Sequence, residues 1–431
     1  MQTTPFWWED IRPIPIRQQT LPGNADVLVV GSGYTGLSAA LALLKGGRSV
    51  VVIETGRVAQ GASSRNGGMC GDQLKPSFAE LSARFGVELA TRLCAEARDA
   101  LIHFQEFLAE NRIRCDFARS GRLTGALSEA QLGGMLRESE TLRRHTGVEY
   151  DVVGKADLGS ELGTDAYVGA RLYRHHGGLH PAKYASELVR CMLDAGGVIC
   201  ESTTYRSCDA ASEGLSITTS AGKILARDLV IATNGYSEGS GRSLRRRLVP
   251  VTSYMIATDE LPEALMSKLM PRGRMVTDTN RLLCYYRPSP DGKRILFGGR
   301  PAYTEIAPEA IAQRLMSYLR TLFPALGNVG VSHSWFGMIA YTIDRLPHVG
   351  KMNGFHYAGG YCGSGVVMAT WLGNKLGQRI LGTKDGRSAF AEIGHPTHPL
   401  YFGRPWFLPL VQACYQGADL WDRRKRLSRG S

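Results

Sequence analysis

Three glycines at fixed spacing are the first residues in the chain whose arrangement predicts chemistry. Gly31, Gly33 and Gly36 form a G-x-G-x-x-G run between an apolar stretch at 26–30 and a helix-like apolar stretch at 37–44. In such a unit the first glycine permits a tight turn, the second lets a pyrophosphate approach the backbone, and the third lets the helix pack closely on the strand. The helix N-terminus then offers free N–H groups to the phosphates. The spacing therefore predicts a dinucleotide-binding site.

An acidic residue lies where the ribose of such a dinucleotide would be held. Glu54 follows a second apolar stretch at 49–53 and stands 21 residues after Gly33. Its carboxylate would accept hydrogen bonds from the ribose, and its charge would repel a 2′-phosphate. The next segment, 56–68, is small and polar, and it would carry main-chain N–H groups along an extended cofactor. A surface loop without a ligand is the alternative, and the spacing alone leaves NAD and FAD open.

These motifs and several later ones resemble the flavoprotein family of D-amino acid oxidase, glycine oxidase and sarcosine oxidase. Within that family the chain is most similar to the γ-glutamylputrescine oxidase branch, over almost its whole length. Several independent motifs in family order argue against a chance match. The matching segments are 31–36, Glu54, 61–68, 176–181, 232–235, Trp335 with Gly337, Asp344 with Pro347 and Gly350, the loop 359–365, and 403–409.

The resemblance implies FAD as the cofactor, bound without a covalent link. The loop 359–365 would face the flavin pyrimidine, and the helix that it opens, at 366–372, would supply positive potential where negative charge collects on the reduced flavin. A glycine-rich helix cap without a ligand is the alternative for this loop. The residues that the resemblance assigns to FAD are Gly31, Gly33, Tyr34, Thr35, Gly36, Glu54, Thr55, Gly61, Ala62, Ser63, Arg65, Asn66, Gly67, Gly68, Thr233, Asn234, Gly235, Gly360, Tyr361, Cys362, Gly363, Ser364 and Gly365.

The flavin loop departs from the family pattern at two positions. Cys362 and Ser364 stand where relatives tend to have serine and histidine, which predicts an altered flavin potential or oxygen reactivity. Cys362 also suggests a covalent flavin thioether. The attachment cysteine of sarcosine oxidase precedes this loop, however, so we expect a small buried thiol here.

The substrate pocket is predicted from side chains near a hairpin. Tyr285, Tyr286 and Arg287 alternate along one strand, so Tyr286 points opposite to its neighbours. Tyr286 and Trp335 would form aromatic walls, while Arg287 or Arg300 would hold a substrate carboxylate by a bidentate pair. An ordinary hairpin with solvated arginines is the alternative.

No metal site is predicted. His175, His176 and His180 lie close together, but the sequence shows no matching cysteine or carboxylate cluster beside them. We interpret them as loop residues near the cofactor.

The resemblance implies an α/β FAD-binding domain, Rossmann-like and carrying the G-x-G-x-x-G turn, interleaved with an α+β substrate domain that contains a mainly antiparallel sheet. Apolar spacing at 77–112 predicts two helices that need another surface, and 281–299 predicts a hairpin. The predicted segments are an N-terminal extension at 1–24, the FAD-binding domain at 25–85, 165–240 and 335–395, the substrate domain at 86–164 and 241–334, and a C-terminal extension with a basic tail at 396–431.

Composition narrows the class and the compartment. The 431 residues are 43% hydrophobic and 21% charged, which excludes a disordered, collagen-like or coiled-coil chain. The nine cysteines are scattered without a C-x-x-C pair, so neither a disulfide framework nor a zinc site is indicated. The start of the chain has acidic residues and no apolar stretch behind a basic one, which argues against a secretory signal. We therefore expect a cytoplasmic protein.

The net charge of +12 comes largely from two local runs, at 242–247 and 423–429. Such runs are usually solvated, so a nucleic-acid partner is not expected. The apolar residues at 406–411 precede the second run and form a candidate membrane anchor, although packing on the FAD-binding domain is favoured.

Together these observations predict an FAD-dependent oxidoreductase that oxidises a C–N bond of a small-molecule amine or amino acid, either γ-glutamylputrescine-like or another primary or secondary amine. Hydride would pass to the flavin, the imine would be hydrolysed, and O2 would be reduced to H2O2. A dehydrogenase that delivers electrons to a quinone is one alternative, and a flavoprotein acting on modified tRNA is another. The sequence leaves the amine, the acceptor and the oligomeric state open.

Overall fold

The computed structural model describes residues 1–11, 16, 20–237, 242–280, 284–300, 306–411, 413–414 and 417–418. The strands in this part of the chain are β1 (Asn24–Val30), β2 (Val50–Ile53), β3 (Met69–Cys70), β4 (Arg122–Ala126), β5 (Asp151–Val153), β6 (Gly169–Tyr173), β7 (Gly177–Gly178), β8 (Val198–Cys200), β9 (Tyr205–Ala211), β10 (Gly214–Thr219), β11 (Gly222–Ile231), β12 (Val249–Thr258), β13 (Met275–Asp278), β14 (Tyr285–Pro288), β15 (Ile295–Gly299), β16 (Val331–Tyr341), β17 (His348–Met352) and β18 (Phe355–Gly359). The α-helices are α1 (Tyr34–Lys45), α2 (Phe78–Phe85), α3 (Val87–Glu110), α4 (Glu129–Thr146), α5 (Leu158–Glu161), α6 (Pro181–Asp194), α7 (Arg242–Arg245), α8 (Glu263–Leu269), α9 (Pro308–Leu322) and α10 (Gly365–Leu381).

The first sheet has a parallel centre in the order β18-β11-β1-β2-β8. β2 is a continuous apolar run that is buried throughout, as is the second half of β1, which is typical of parallel strands covered on both faces. β17 pairs antiparallel with β18, and β9 and β10 form an antiparallel extension on β11. This arrangement brings the carboxyl ends of β1, β2 and β11 to one edge, where the predicted cofactor residues lie.

Glycines bring two helices together beside this sheet. A Cβ atom at Gly373 of α10 would lie 2.5 Å from the carbonyl oxygen of Thr35 in α1, and one at Gly377 would lie 2.9 Å from that of Ala39. The close approach places the start of α1 beside the middle of α10. The Tyr361 and Thr35 hydroxyls lie 2.6 Å apart at this junction.

The second sheet has the order β16-β12-β15-β14-β13-β4-β6-β5 and is antiparallel except between β4 and β13. One face packs against the apolar side of α9, where Ile311, Leu315 and Leu319 recur at helical spacing. The other face turns toward the first sheet. The predicted fold class is confirmed: a dinucleotide-type α/β unit is interleaved with a mainly antiparallel α+β unit.

The chain divides between the two units differently from the predicted boundaries. β6 falls within the segment 165–240 that was assigned to the FAD-binding domain, but it pairs with β4 and β5 in the second sheet. α3 was assigned to the substrate domain, but its apolar side packs in one cluster with α1 and α10. Pairing partners and apolar faces decide membership, and sequence position alone does not report them. The two helices and the hairpin predicted from periodicity are present as α2, α3 and β14–β15.

Three arginines of the run at 242–247 are more packed than the prediction of a solvated run implied. Arg245, Arg246 and Arg247 are half-buried. The Arg247 Nε donates to the His395 carbonyl oxygen at 3.0 Å, and the Arg246 guanidinium lies over the Phe402 ring. These contacts attach the C-terminal extension to this segment.

The apolar residues of the C-terminal extension divide in two. Leu408 is buried against Tyr401, whereas the side chains of Trp406 and Leu410 are 59% and 64% exposed. The basic run at 423–429 lies outside the described residues. Among the helices described, none has the length and apolar character needed to cross a membrane.

Candidate active site

The G-x-G-x-x-G turn adopts the backbone that its glycines predict. Gly31 has a φ of 101°, in the region that favours glycine. A Cβ atom at Gly36 would lie 1.9 Å from the Gly31 carbonyl oxygen, so only glycine lets α1 pack this closely on β1. Gly33 caps α1 and borders a large cavity. The turn thus leaves bare backbone at a helix N-terminus, which suits a pyrophosphate.

Glu54 is fixed at the end of β2. Its Oε2 accepts hydrogen bonds from the Ser32 amide at 3.0 Å and the Ser32 hydroxyl at 2.7 Å, and its Oε1 accepts from the Gly56 amide at 3.1 Å. The carboxylate borders the same cavity as the turn. The contact of Glu54 with a ribose stays a prediction, with which this position is compatible.

The loop 61–68 is anchored from three directions. The indole Nε1 of Trp7 donates to the Asn66 carbonyl oxygen at 2.8 Å, and that of Trp335 donates to the Arg65 carbonyl oxygen at 2.9 Å. The Ser63 hydroxyl accepts from the Tyr34 amide at 3.0 Å. These contacts argue against a surface loop without a fixed shape. They also show that the N-terminal extension supports the site, which the sequence did not indicate.

The loop 359–365 is a strained turn in front of α10. Gly360, Cys362 and Gly363 have φ values of 78°, 54° and 100°, and Cys362 is the costly member because it carries a side chain. Burial raises the pKa of its thiol, which keeps the sulfur protonated and therefore a poor nucleophile. The thiol contacts the Gly360 carbonyl oxygen at 3.1 Å, an arrangement that favours a structural role over covalent attachment.

One cavity of about 1180 Å³ connects the two units. The cavity extends from the turn between β1 and α1 to the second sheet. Its volume is large enough for a dinucleotide and a small substrate together. The predicted site residues that line it are Gly31, Gly33, Tyr34, Thr35, Glu54, Thr55, Gly61, Ala62, Ser63, Arg65, Asn66, Gly67, Thr233, Asn234, Tyr361, Cys362, Gly363, Ser364, Gly365 and Arg300. We call the segments 31–36, 61–68 and 360–365 the glycine cradle.

Four glycines that were predicted as site residues do not line the cavity. They lie where other atoms approach the backbone beside it. Added Cβ atoms at Gly36, Gly68 and Gly360 would lie 1.9 to 2.2 Å from neighbouring atoms, and one at Gly235 would lie 3.2 Å from Met338. Their role is close packing.

Three predicted substrate residues do not line the cavity. Tyr286 points into the core under the second sheet, where its hydroxyl lies 3.2 Å from that of Tyr167. Its neighbour Tyr285 lines the cavity instead, because successive side chains of a strand alternate. Trp335 holds the loop 61–68, and the Arg287 Nη1 donates to the Leu179 carbonyl oxygen at 2.7 Å. The expectation that these three face the substrate is wrong, whereas Arg300 does reach the cavity.

Among the cavity-lining cations that the sequence did not assign to the site are Lys75, Arg122 and Arg171. With Arg300 they form a group that we call the cationic wall. Lys75 is exposed to the cavity, yet the surrounding protein desolvates it and lowers its pKa to about 8, with Arg300 and Arg122 contributing. Burial lowers the pKa of Arg122 to about 10. For Arg171 a detectable signal was a charged residue between apolar ones in the strand G-A-R-L-Y, whereas Arg122 opens its strand and gave no such signal.

A buried carboxylate accompanies two of the histidines, contrary to the sequence interpretation. Asp72 Oδ1 lies 2.7 Å from the His176 Nε2, and Oδ2 lies 2.9 Å from the His175 Nε2. Burial alone would raise the pKa of Asp72, but the two imidazoles hold it below its usual range. Burial lowers the pKa of His176 to about 4. The three side chains are close enough to share a cation, and Asp72 is more than a hundred positions away in sequence, which hid the group.

Comparison with known proteins agrees with this geometry. Residues 26–379 match the family model DAO, described as FAD dependent oxidoreductase. The chain is 31% identical to "Probable oxidoreductase OrdL" of Haemophilus influenzae over 88% of each chain, and 29% identical to gamma-glutamylputrescine oxidoreductase of Escherichia coli over 94% of this chain and 93% of that one.

A solved structure shows the same fold. Glycine oxidase of Geobacillus kaustophilus superposes with a TM-score of 0.72 at 23% identity, over 88% of this chain and 100% of that one. The family match covers both sheets and every segment of the glycine cradle. The bare backbone at two helix N-termini and the fixed Glu54 fit FAD, and this chain therefore belongs to the DAO family of FAD-dependent oxidoreductases.

Proposed function

We propose that the protein oxidises the C–N bond of an amine or amino acid. The observation that carries the proposal is the single cavity in which the glycine cradle and the cationic wall meet. A ligand held at that wall would share the cavity with the cofactor, and both could be closed off from bulk water. The similarity to gamma-glutamylputrescine oxidoreductase supports an amine as the substrate.

The residues of the glycine cradle would hold FAD without a covalent bond. Gly31, Gly33 and the start of α1 would bind the pyrophosphate, Glu54 the ribose, and the loops 61–68 and 360–365 the flavin. Bound FAD supplies a hydride acceptor for the C–H bond next to the amine nitrogen. The nitrogen gives up a proton, and the imine then takes up water to yield a carbonyl compound and an amine.

The chain's own groups prepare this step in two ways. The N-terminus of α10, with Lys75 and Arg300 in the same cavity, provides positive potential for the negative charge that arrives with the hydride. Tyr285 and Met255 line the cavity from the second sheet and would limit water and orient the amine. Neither role requires the chain to supply a nucleophile.

Anaerobic absorbance titration of the yellow holoprotein tests the proposal. Polyamines, γ-glutamylated amines, N-methyl amino acids and D-amino acids are added in turn, and bleaching near the flavin maximum identifies a substrate class. A holoprotein that no amine or amino acid bleaches would contradict the proposal. The rate of recolouring in air then distinguishes an oxidase, which forms H2O2 from O2, from a dehydrogenase.

A quinone as electron acceptor is the second candidate, and the exposed Trp406 and Leu410 favour it. These side chains could insert at a membrane interface, where quinones reside. Co-sedimentation with anionic liposomes should then drop for a chain that ends after residue 400. Equal sedimentation of the two chains, together with rapid reoxidation by O2, would remove this candidate.

A further inference from the structure

The far side of the cavity is built from one face of three neighbouring strands. β4 pairs with β6 so that Arg122 lies opposite Tyr173 and Thr124 opposite Arg171. β13 lies on the other side of β4, where the hydroxyls of Thr124 and Thr277 are 3.1 Å apart. The alternate residues, such as Leu123 and Leu172, are buried in the core behind the sheet. Arg122 and Arg171 therefore project from the same face into the cavity.

Among the described residues, neither of these two guanidinium groups has a carboxylate partner. Across the residues that the structure describes, no carboxylate oxygen lies within 4.0 Å of a side-chain nitrogen of Arg122, Arg171 or Lys75. The buried Nε atoms of Arg122 and Arg171 have no hydrogen-bond acceptor. Arg171 contacts a neutral hydroxyl, with its Nη1 2.9 Å from the Ser139 Oγ, and its guanidinium lies over the Tyr173 ring. A buried cation that lacks a counter-ion is costly unless a ligand supplies one.

Three of the acidic groups that line the same cavity are bonded to other partners. Asp72 is hydrogen-bonded to two histidines, and the Glu138 Oε1 accepts from the Phe78 amide. Asp278 accepts from the Tyr318 hydroxyl at 2.9 Å, and burial raises its pKa to about 6. Among the described residues, none of the three is in direct contact with the charged groups of Arg122, Arg171 or Lys75.

The cations extend from the second sheet to the flavin loop. Lys75 lines the same cavity and is close enough to Arg300, Arg122 and Cys362 for their charges to affect its pKa. The Arg300 Nη2 would lie 3.5 Å from a Cβ atom added to Gly363. One end of the group is therefore beside the flavin loop, and the other end is at the Arg122–Arg171 pair.

From this arrangement we propose that the substrate is an amine carrying two carboxylates. One carboxylate binds near Lys75 and Arg300 beside the flavin loop, and the second binds between Arg122 and Arg171. Guanidinium pairs bind carboxylates well because two parallel N–H groups match the two oxygens. The proposal rests on the proposed amine oxidation and narrows it, because a wall of this charge disfavours a substrate with a net positive charge, such as a diamine derivative.

Ligand binding tests the second carboxylate site without turnover. The holoprotein is titrated with linear dicarboxylates of four to seven carbons and with the monoamide of each, while the flavin absorbance and the heat of binding are recorded. A monoamide has the shape of its diacid but one charge fewer. We expect at least one diacid to bind tenfold or more tightly than its monoamide. Equal binding of every pair would overturn the proposal.

Variants locate the site. Arg122→Met and Arg171→Met should abolish the preference for the diacid, and Arg122→Lys should retain part of it. Arg206→Met, which removes a cation from the exposed strand β9, is the matched control and should keep the full preference. Met fills the volume of the arginine stem, so the Arg122 variant should fold with an unchanged or higher Tm. A full preference in both methionine variants would contradict the assignment, and the wild-type comparison decides the proposal if either variant fails to fold.

Anaerobic flavin reduction separates this proposal from the one on which it rests. Secondary amines with a carboxylate on each arm should bleach the flavin at least tenfold faster at low concentration than their monoamides or a diamine of equal length. Bleaching by all of them alike would keep amine oxidation and discard the dicarboxylate preference. A diacid preference in binding without bleaching by any amine would keep the carboxylate site and discard amine oxidation.

Discussion

The glycine cradle and the cationic wall line one cavity, but they are built from different parts of the chain. The cradle presents main-chain groups, and its glycines are needed because added Cβ atoms would collide with backbone, as at Gly36 and Gly68. The wall presents the side chains of Lys75, Arg122 and Arg171, which come from a loop and two strands. The difference teaches that a site built from main-chain groups can be predicted from a short segment of the sequence. A site built from side chains depends on which strands become neighbours in the sheet.

The same contrast predicts different effects of substitutions in the glycine cradle and in the cationic wall. Changes in the cradle should affect whether the cofactor binds at all, because its shape leaves no room for another atom. Changes in the wall should leave the cofactor in place and alter which ligand is accepted. The following experiments test this division, beginning with the largest effect.

Gly36→Val should prevent formation of the holoprotein. The first added carbon would lie 1.9 Å from the Gly31 carbonyl oxygen, so α1 must move away from β1, at a cost of about 3 kcal/mol or more. Flavin content after purification and Tm measure the effect. Gly23→Ala, where nothing lies within 4 Å, is the control and should change neither. A yellow Gly36→Val protein with normal Tm would break the comparison.

Glu54→Gln should weaken FAD binding by about tenfold to a hundredfold, because hydrogen bonds to a charged acceptor contribute about 1.5–3 kcal/mol. The glutamine side chain has one acceptor oxygen where Glu54 has two. Either the Ser32 amide or the Gly56 amide would therefore lose its acceptor. Fluorescence titration of the apoprotein with FAD measures the change. Glu213→Gln, at an exposed turn, should leave the affinity unchanged. Equal affinities for the two variants would remove Glu54 from the cofactor site.

Lys75 should make the binding of carboxylate ligands depend on pH. Desolvation within the cavity lowers the pKa of Lys75 to about 8, so its charge is present below that pH and is lost as the pH rises through it. The Kd for a dicarboxylate such as glutarate should therefore increase several-fold between pH 7 and pH 9, as read from flavin absorbance. Lys75→Arg should flatten the profile because arginine stays charged. A profile that is the same in both proteins would assign the inflection to another group.

Tyr285 and Tyr286 provide the smallest and most direct test, since they are neighbours that face opposite sides of the second sheet. Tyr285→Phe should raise KM a few-fold with little effect on Tm, because Tyr285 lines the cavity. Tyr286→Phe should leave KM unchanged and lower the free energy of unfolding by about 1 kcal/mol, because the Tyr167 hydroxyl loses a buried partner. The reverse pattern would show that the strand faces were assigned incorrectly.

Much of the cofactor site was readable from the sequence. The sequence assigned the turn at 31–36, Glu54 and the loops 61–68 and 359–365 to the cofactor, and most of these residues line the cavity. The turn and the loops could be recognised because each is a short contiguous segment whose backbone shape follows from its glycines. Periodicity also located α2, α3 and the β14–β15 hairpin. What failed was the substrate side, where Tyr286, Trp335 and Arg287 proved to support the fold instead of lining the cavity.

The physical reason lies in the range of the interactions. Sequence determined the phosphate turn, because glycine conformation and helix dipoles act within a few residues. Only the tertiary structure decided which face of each strand lines the cavity. It also brought Lys75, Arg122, Arg171 and Arg300 to one wall, because β4, β6 and β13 are distant in sequence and meet through sheet pairing. The positive charge of the cationic wall is therefore a property of the assembled sheet.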